Sequence, residues 1–346
     1  MAPISQPVVP PSEAAVVLVL TLREGNDQAV LDAIADLTGV IRAVAFRYPD
    51  AQTTCVAGIG SHAWDRLFPG APKPKGLHPF IALDGGAHVA PSTPGDLVLH
   101  VRGKRFDMCF ELGDKRFERL GGLVDVADRL QGFRYFDERD PLGFVDGTES
   151  PSGEEAWQTV TITGDEPFDG GSYLITQRYL HDLTSWNALT VEQQDTAIDR
   201  HKLDDIEIPD AKKASNSHVA LNSINAPDGT QLTIVRENMP FGTVGETYGA
   251  YVIGYASDPA VTERMLHNMF IGHPVGDHDR ILDFSTAVTG SLFYIPTVDF
   301  WTSRRCPDGC TRGWLRVTMT PCGQPGSASP PLRASVSASV TRCGRG

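Results

Sequence analysis

The order in which short apolar strands and amphipathic helices follow one another, and its occurrence twice, constrains this 346-residue chain most. Residues 14–22, AAVVLVLTL, are aliphatic and β-branched and read as a buried strand. DQAVLDAIADLTGV (27–40) follows, with Val30, Leu31, Ile34 and Leu37 on one helical face. AVAFRY (43–48), CVAGIG (55–60) and DLVLHVRG (96–103) read as strands, and a helical stretch then runs to about Leu130. Pro, Gly, Asp and Glu crowd residues 132–155, which read as a hinge. Beyond it the pattern returns. GSYLITQRYL (171–180) is strand-like, and Thr184 caps a helix expected to run through Arg200. TQLTIVREN (230–238) and TYGAYVIGYA (247–256) are strands. A helix at 258–270 starts from Asp258 and Pro259, and SLFYIP (291–296) is a last strand. The fold predicted is α+β, two ferredoxin-like halves with antiparallel sheets (residues 12–135 and 136–300), from element order alone.

Charge separates a body from a tail. Residues 1–300 carry 23 basic and 42 acidic side chains, while residues 301–346 carry seven Arg, no Lys and one Asp. An acidic body repels nucleic acid and anionic lipid, so neither is an expected partner. Four of the six cysteines (Cys306, Cys310, Cys322 and Cys343) lie in the tail. The two body cysteines, Cys55 and Cys109, make no disulfide framework, which points to a reducing interior. No basic n-region precedes the first apolar run, and no stretch reaches the ~20 apolar residues of a membrane span, so a cytoplasmic location is expected. The Arg-, Ser- and Pro-rich residues 301–346 are expected to be disordered. They read more like an unrelated or shifted reading frame than a functional module.

Side-chain parity along 231–238 puts Leu232, Ile234, Arg236 and Asn238 on one strand face. Arg236 therefore points with an apolar set, and its guanidinium needs either an anion-stabilising pocket or an ion pair across the core. His218, in SNSHVALN, is an iron or zinc ligand or else an ordinary paired histidine. The segment GHPVGDHDR offers His273, Asp277, His278 and Asp279, but its spacing matches no common zinc pattern, and a polar loop is the simpler reading. Asp146, in PLGFVDGTESP, sits at an Asp-Gly turn after an aromatic-rich run. A carboxylate against aromatics can serve as acid or base.

In combination, GFVDGTES, then SHV, then IVRENMPFG, then DRILDFSTAVTGSLFYIP resemble the dye-decolourising peroxidases of the bacterial B type, over most of residues 14–300. The resemblance implies one haem b per chain, held in the C-terminal half, with His218 as its iron ligand and Asp279 bonded to that histidine. It implies Asp146, Arg236 and Asn238 on the distal side, Arg200 at a haem propionate and Phe293 lining the distal face. It further implies reduction of hydrogen peroxide through a ferryl state and oxidation of dyes, phenols or other one-electron donors by a homo-oligomer. Glu149, just past Asp146, is either an Mn(II) ligand near the haem edge or a solvated loop carboxylate. Some relatives end in a peptide directing them into an encapsulin shell; residues 301–346 contain none, so a shell is not expected here. The competing readings are a non-enzymatic haem carrier on the same fold and a haem-free zinc protein using His273, His278 and the tail cysteines.

Overall fold

A computed structural model describes residues 4–302. The expectations for the 301–346 tail fall almost wholly outside the described residues. In the first part of the chain, β1 (Ala14–Leu22) is followed by helices α1 (Asp27–Ala35) and α2 (Leu37–Ala45), then β2 (Thr54–Gly60) and α3 (Ser61–Leu67). A short hairpin, β3 (Leu83–Asp84) and β4 (Val89–Ala90), precedes β5 (Leu97–Gly103), α4 (Phe106–Leu120) and β6 (Val124–Phe133). The second part runs α5 (Gly153–Val160), β7 (Ser172–His181), α6 (Leu183–Asn187), α7 (Val191–Ile198) and α8 (His218–Asn222). Then come β8 (Ile224–Asn225), β9 (Gln231–Leu232), β10 (Val235–Arg236), β11 (Met239–Thr243), β12 (Thr247–Ala256), α9 (Pro259–Ile271), β13 (Ser285–Ala287) and β14 (Ser291–Ile295).

Strands from both parts join one antiparallel sheet in the order β10-β12-β7-β14-β2-β5-β1-β6, with β11 paired to β12 and β13 to β7. The join is β14 against β2, where Phe293 faces Gly60 and Tyr294 faces Ile59. β11 also comes against β6: a Cβ on Gly132 would lie 2.5 Å from the Met239 Cβ, so glycine is what permits this approach. The continuous apolar run of β1 is explained by two buried faces. Val16, Leu18 and Leu20 enter the core beneath the helices, and Ala15, Val17 and Val19 enter a second core with Val235, Tyr251 and Phe293.

Five sequence expectations change. The helix expected over 27–40 is two, α1 and α2, divided at Asp36. Residues 43–48 are not a strand, because Leu37, Val40, Ile41 and Val44 recur at helical spacing and pack as α2 on the main core. The helix expected to reach Leu130 stops at Leu120, and VDVADRLQGF then alternates as β6. The single helix expected from Thr184 is two, capped by Asp182 and by a Thr190–Gln193 capping box. The strand expected over 230–238 is broken into β9 and β10.

Candidate active site

His218 occupies the first position of α8, and a chain of buried polar groups fixes it there. The Ser217 Oγ accepts the Ala220 N–H at 3.2 Å and donates to the Asp199 carboxylate, which also takes the Ala214 N–H. The end of α7 thereby sets the start of α8. His218 Nδ1 lies 2.7 Å from Oδ2 of Asp279, which is fully buried. The other Asp279 oxygen accepts the Ile281 N–H at 2.9 Å, so the carboxylate cannot turn away. An Nδ1–H donated to this carboxylate leaves the Nε2 lone pair for the cavity. Burial alone would lower the His218 pKa, but the Asp279 charge outweighs it and the net shift is upward.

Asp146, Arg236 and Asn238 come together from two segments. The turn at Asp146 depends on Gly147, whose φ of +80° disfavours any side chain. Asn238 Nδ2 donates to Asp146 Oδ1 at 3.2 Å, and the Arg236 N–H donates to Ser150 Oγ at 3.1 Å. The Nε of Arg236 and Oδ1 of Asn238 are buried without a hydrogen-bond partner. Both residues line a cavity together with His218, and buried polar atoms without partners are uncommon away from functional sites. Leu232, Ile234, Arg236 and Asn238 all line the cavity, but where the strand is broken Gln231 and Thr233, of the other parity, line it as well. Glu237, between Arg236 and Asn238, faces the opposite way. Arg102 of β5 reaches its carboxylate at 2.6 Å, and Ser12 donates to it through N–H and hydroxyl. Burial pushes the Glu237 carboxyl up, against the pull of Arg102.

The cavity has an apolar interior of about 160 Å³ and a polar mouth. His218, Asp146, Arg236 and Asn238 line both regions; Val252, Leu266, Met269 and Ile281 line the interior. Arg200 and Glu149 line the mouth, 3.4 Å apart, and Arg200 also meets Asp205 and Glu207. Phe293 does not line the cavity. It is fully buried in the second core, where its ring would be the first atom met by a Cβ on Gly95. Nor do the four polar residues of 272–280 converge: Asp277 accepts from Ser215, Asp279 serves His218, and His278 turns toward His88 and Asp283.

Of the polar cavity residues that escaped the sequence reading, three stand out. Gln177 and His181 present buried, unpartnered Nε2 atoms, and burial pulls the His181 pKa down to about 4. Their alternation with Ile175 and Tyr179 along β7 is the same parity signal that exposed Arg236. The third is Asp140. Burial and the nearby Asp146 charge push its carboxyl up to about 7. An unfolded aspartate titrates at about 4, so folding takes up a proton between these values, and stability from this group is lost as pH rises through them. Asp140→Asn is therefore expected to raise the thermal midpoint at pH 8, with the gain vanishing toward pH 4. Melting curves of both proteins across this range check it; a pH-independent difference would contradict the assignment.

Residues 5–134 match the family model described as Dyp-type peroxidase, N-terminal, and residues 137–300 match its C-terminal counterpart. The chain belongs to the Dyp-type peroxidase family. A dye-decolorizing peroxidase of Rhodococcus erythropolis is 52% identical over 92% of this chain and 93% of its own length. A DypB variant of Rhodococcus jostii RHA1, solved in complex with heme, superposes with a TM-score of 0.83 at 48% identity, over 85% of this chain and 96% of that one. The encapsulated DyP-type peroxidase of Mycobacterium smegmatis gives 0.85 at 53% identity, over 88% and 99%. The chain is thus a peroxidase with haem as its family cofactor, and its α+β fold has the two ferredoxin-like halves of these structures. The residues suit haem: an apolar slot, an imidazole with a carboxylate behind it, and orphaned polar atoms at the cavity wall.

Proposed function

We propose that this Dyp-type peroxidase reduces hydrogen peroxide with one haem b per chain and oxidises dyes, phenols and other small one-electron donors. The observation that carries the reading is Arg236, a fixed cation that lines the same cavity as His218 of the His218–Asp279 pair. A haem carrier needs the pair but gains nothing from the arginine. Bound haem supplies an iron at which the peroxide O–O bond is broken and oxidising equivalents are held for donors. Asp279, accepting the Nδ1–H, raises electron density on the ligating Nε2 of His218. Asp146, oriented by Asn238, moves the proton from one peroxide oxygen to the other, directly or through water. The fixed charge of Arg236 stabilises the negative charge on the departing oxygen.

At the mouth, Arg200, now among the carboxylates of Glu149, Asp205 and Glu207, would hold a haem propionate. Phe293 acts as a core residue. The remaining parts of the reading are a cytoplasmic homo-oligomer and a division into halves at 12–135 and 136–300. No helix among the described residues is long and apolar enough to cross a membrane. The excess of acidic side chains in residues 1–300 favours cationic donors over anionic ones. The encapsulated Mycobacterium smegmatis relative makes a protein shell a candidate partner, contrary to the expectation drawn from residues 301–346. The deciding experiment is an absorption spectrum of the haem-loaded protein before and after one equivalent of peroxide. The Soret band is expected to change at once, and a dye to bleach only when peroxide is present. An unchanged spectrum ends the reading.

A further inference from the structure

We propose a second metal site, for a borderline divalent cation such as zinc, formed by His88, His278 and Asp283. It lies outside the haem cavity and is independent of the peroxidase reading. His88 sits in the β3–β4 turn, His278 lies just before the short turn Arg280–Asp283, and Asp283 ends that turn. Their donor atoms form a nearly equilateral triangle. The two Nε2 atoms are 3.2 Å apart, and Asp283 Oδ1 lies 3.2 Å from His88 and 3.0 Å from His278. Three ligands bonded to one ion at about 2.1 Å, at angles between octahedral and tetrahedral, stand about 3.0–3.4 Å from one another. An ion bound by all three sits about 1 Å above their plane and keeps its remaining positions open to water.

Hydrogen bonding alone serves this arrangement poorly. Both rings can donate to the same Oδ1 only if each carries its proton on Nε2, which sets two N–H groups side by side at 3.2 Å. A cation shared by three lone pairs removes that conflict. The carboxylate is already aimed: Arg280 Nε holds Oδ2 at 3.1 Å, leaving Oδ1 to the imidazoles. Two imidazoles and one carboxylate are the donor set that suits zinc and its first-row neighbours. Each of the three side chains is partly exposed, so an ion can enter from solvent. Once bound, it ties the β3–β4 hairpin to the segment that carries Asp279, the partner of His218.

The test uses the full-length haem protein, stripped of loose metal by EDTA and titrated calorimetrically with zinc chloride. One equivalent is expected to bind and to raise the unfolding midpoint. His88→Ala and Asp283→Asn are each expected to weaken that binding at least tenfold with the Soret band intact, while His273→Ala binds as the parent does. Zinc-edge X-ray absorption is expected to show nitrogen and oxygen neighbours only. Failure to bind, undiminished binding in His88→Ala, or a sulfur shell from the cysteines would each overturn the proposal.

Discussion

Arg236→Leu is expected to slow the reaction of the haem protein with peroxide by about 10²–10³-fold, the usual effect of removing one preorganised charge or donor. The reasoning is local. Arg236 Nε is buried without a hydrogen-bond partner, so leucine strands no partner of that nitrogen. The fold should therefore tolerate the change, and the Soret band should persist because His218 and Asp279 are untouched. Stopped-flow mixing with peroxide reads the rate, and a melting curve reads the stability. A variant reacting at the parental rate would move the main role to Asp146, which keeps its contact with Asn238 when the arginine is gone.

His218→Ala carries the other large effect, and here two losses combine. Haem loses its iron ligand, and Asp279 loses the group that justifies its burial. With the Ile281 N–H as its remaining side-chain partner, the carboxylate is left costly by about 1–3 kcal/mol or more. The variant is expected to emerge from gel filtration with little Soret absorbance and a lower melting midpoint. Free imidazole should restore part of the haem binding by filling the vacated space. Full Soret intensity without imidazole would show that the iron is held by another residue.

The part of the site read most easily from sequence lay where side-chain type and strand parity conflicted. An arginine in phase with Leu232 and Ile234 needs a reason, and the cavity provides it. The same conflict existed at Gln177 and His181 in β7, but their neighbours are polar or aromatic enough to conceal it. The His218–Asp279 pair joins residues 61 positions apart, a contact no periodicity encodes; the family motif alone suggested it. Element type failed where local pattern is ambiguous. AVAFRY suits a strand by composition, and only packing of Leu37, Val40 and Val44 makes its start a helix. The early end of α4 and the break before Thr190 were written in residues, a Gly121-Gly122 pair and a capping box, that a longer periodic stretch obscured.

The Glu237 contacts have a consequence for chimeric proteins. The cavity residues Arg236 and Asn238 belong to the C-terminal part of the chain, but the residue between them is moored to Arg102 and Ser12 of the N-terminal part. Arg102 is moored in turn to the carbonyls of Pro7 and Pro10. Exchanging residues 1–134 between two relatives thus transplants the brace of this strand while leaving the cavity residues Asp146, His218, Arg236 and Asn238 in place. Hybrids that keep a serine and an arginine at positions 12 and 102 keep both holders of Glu237; hybrids that lose the arginine leave a buried glutamate without its cation.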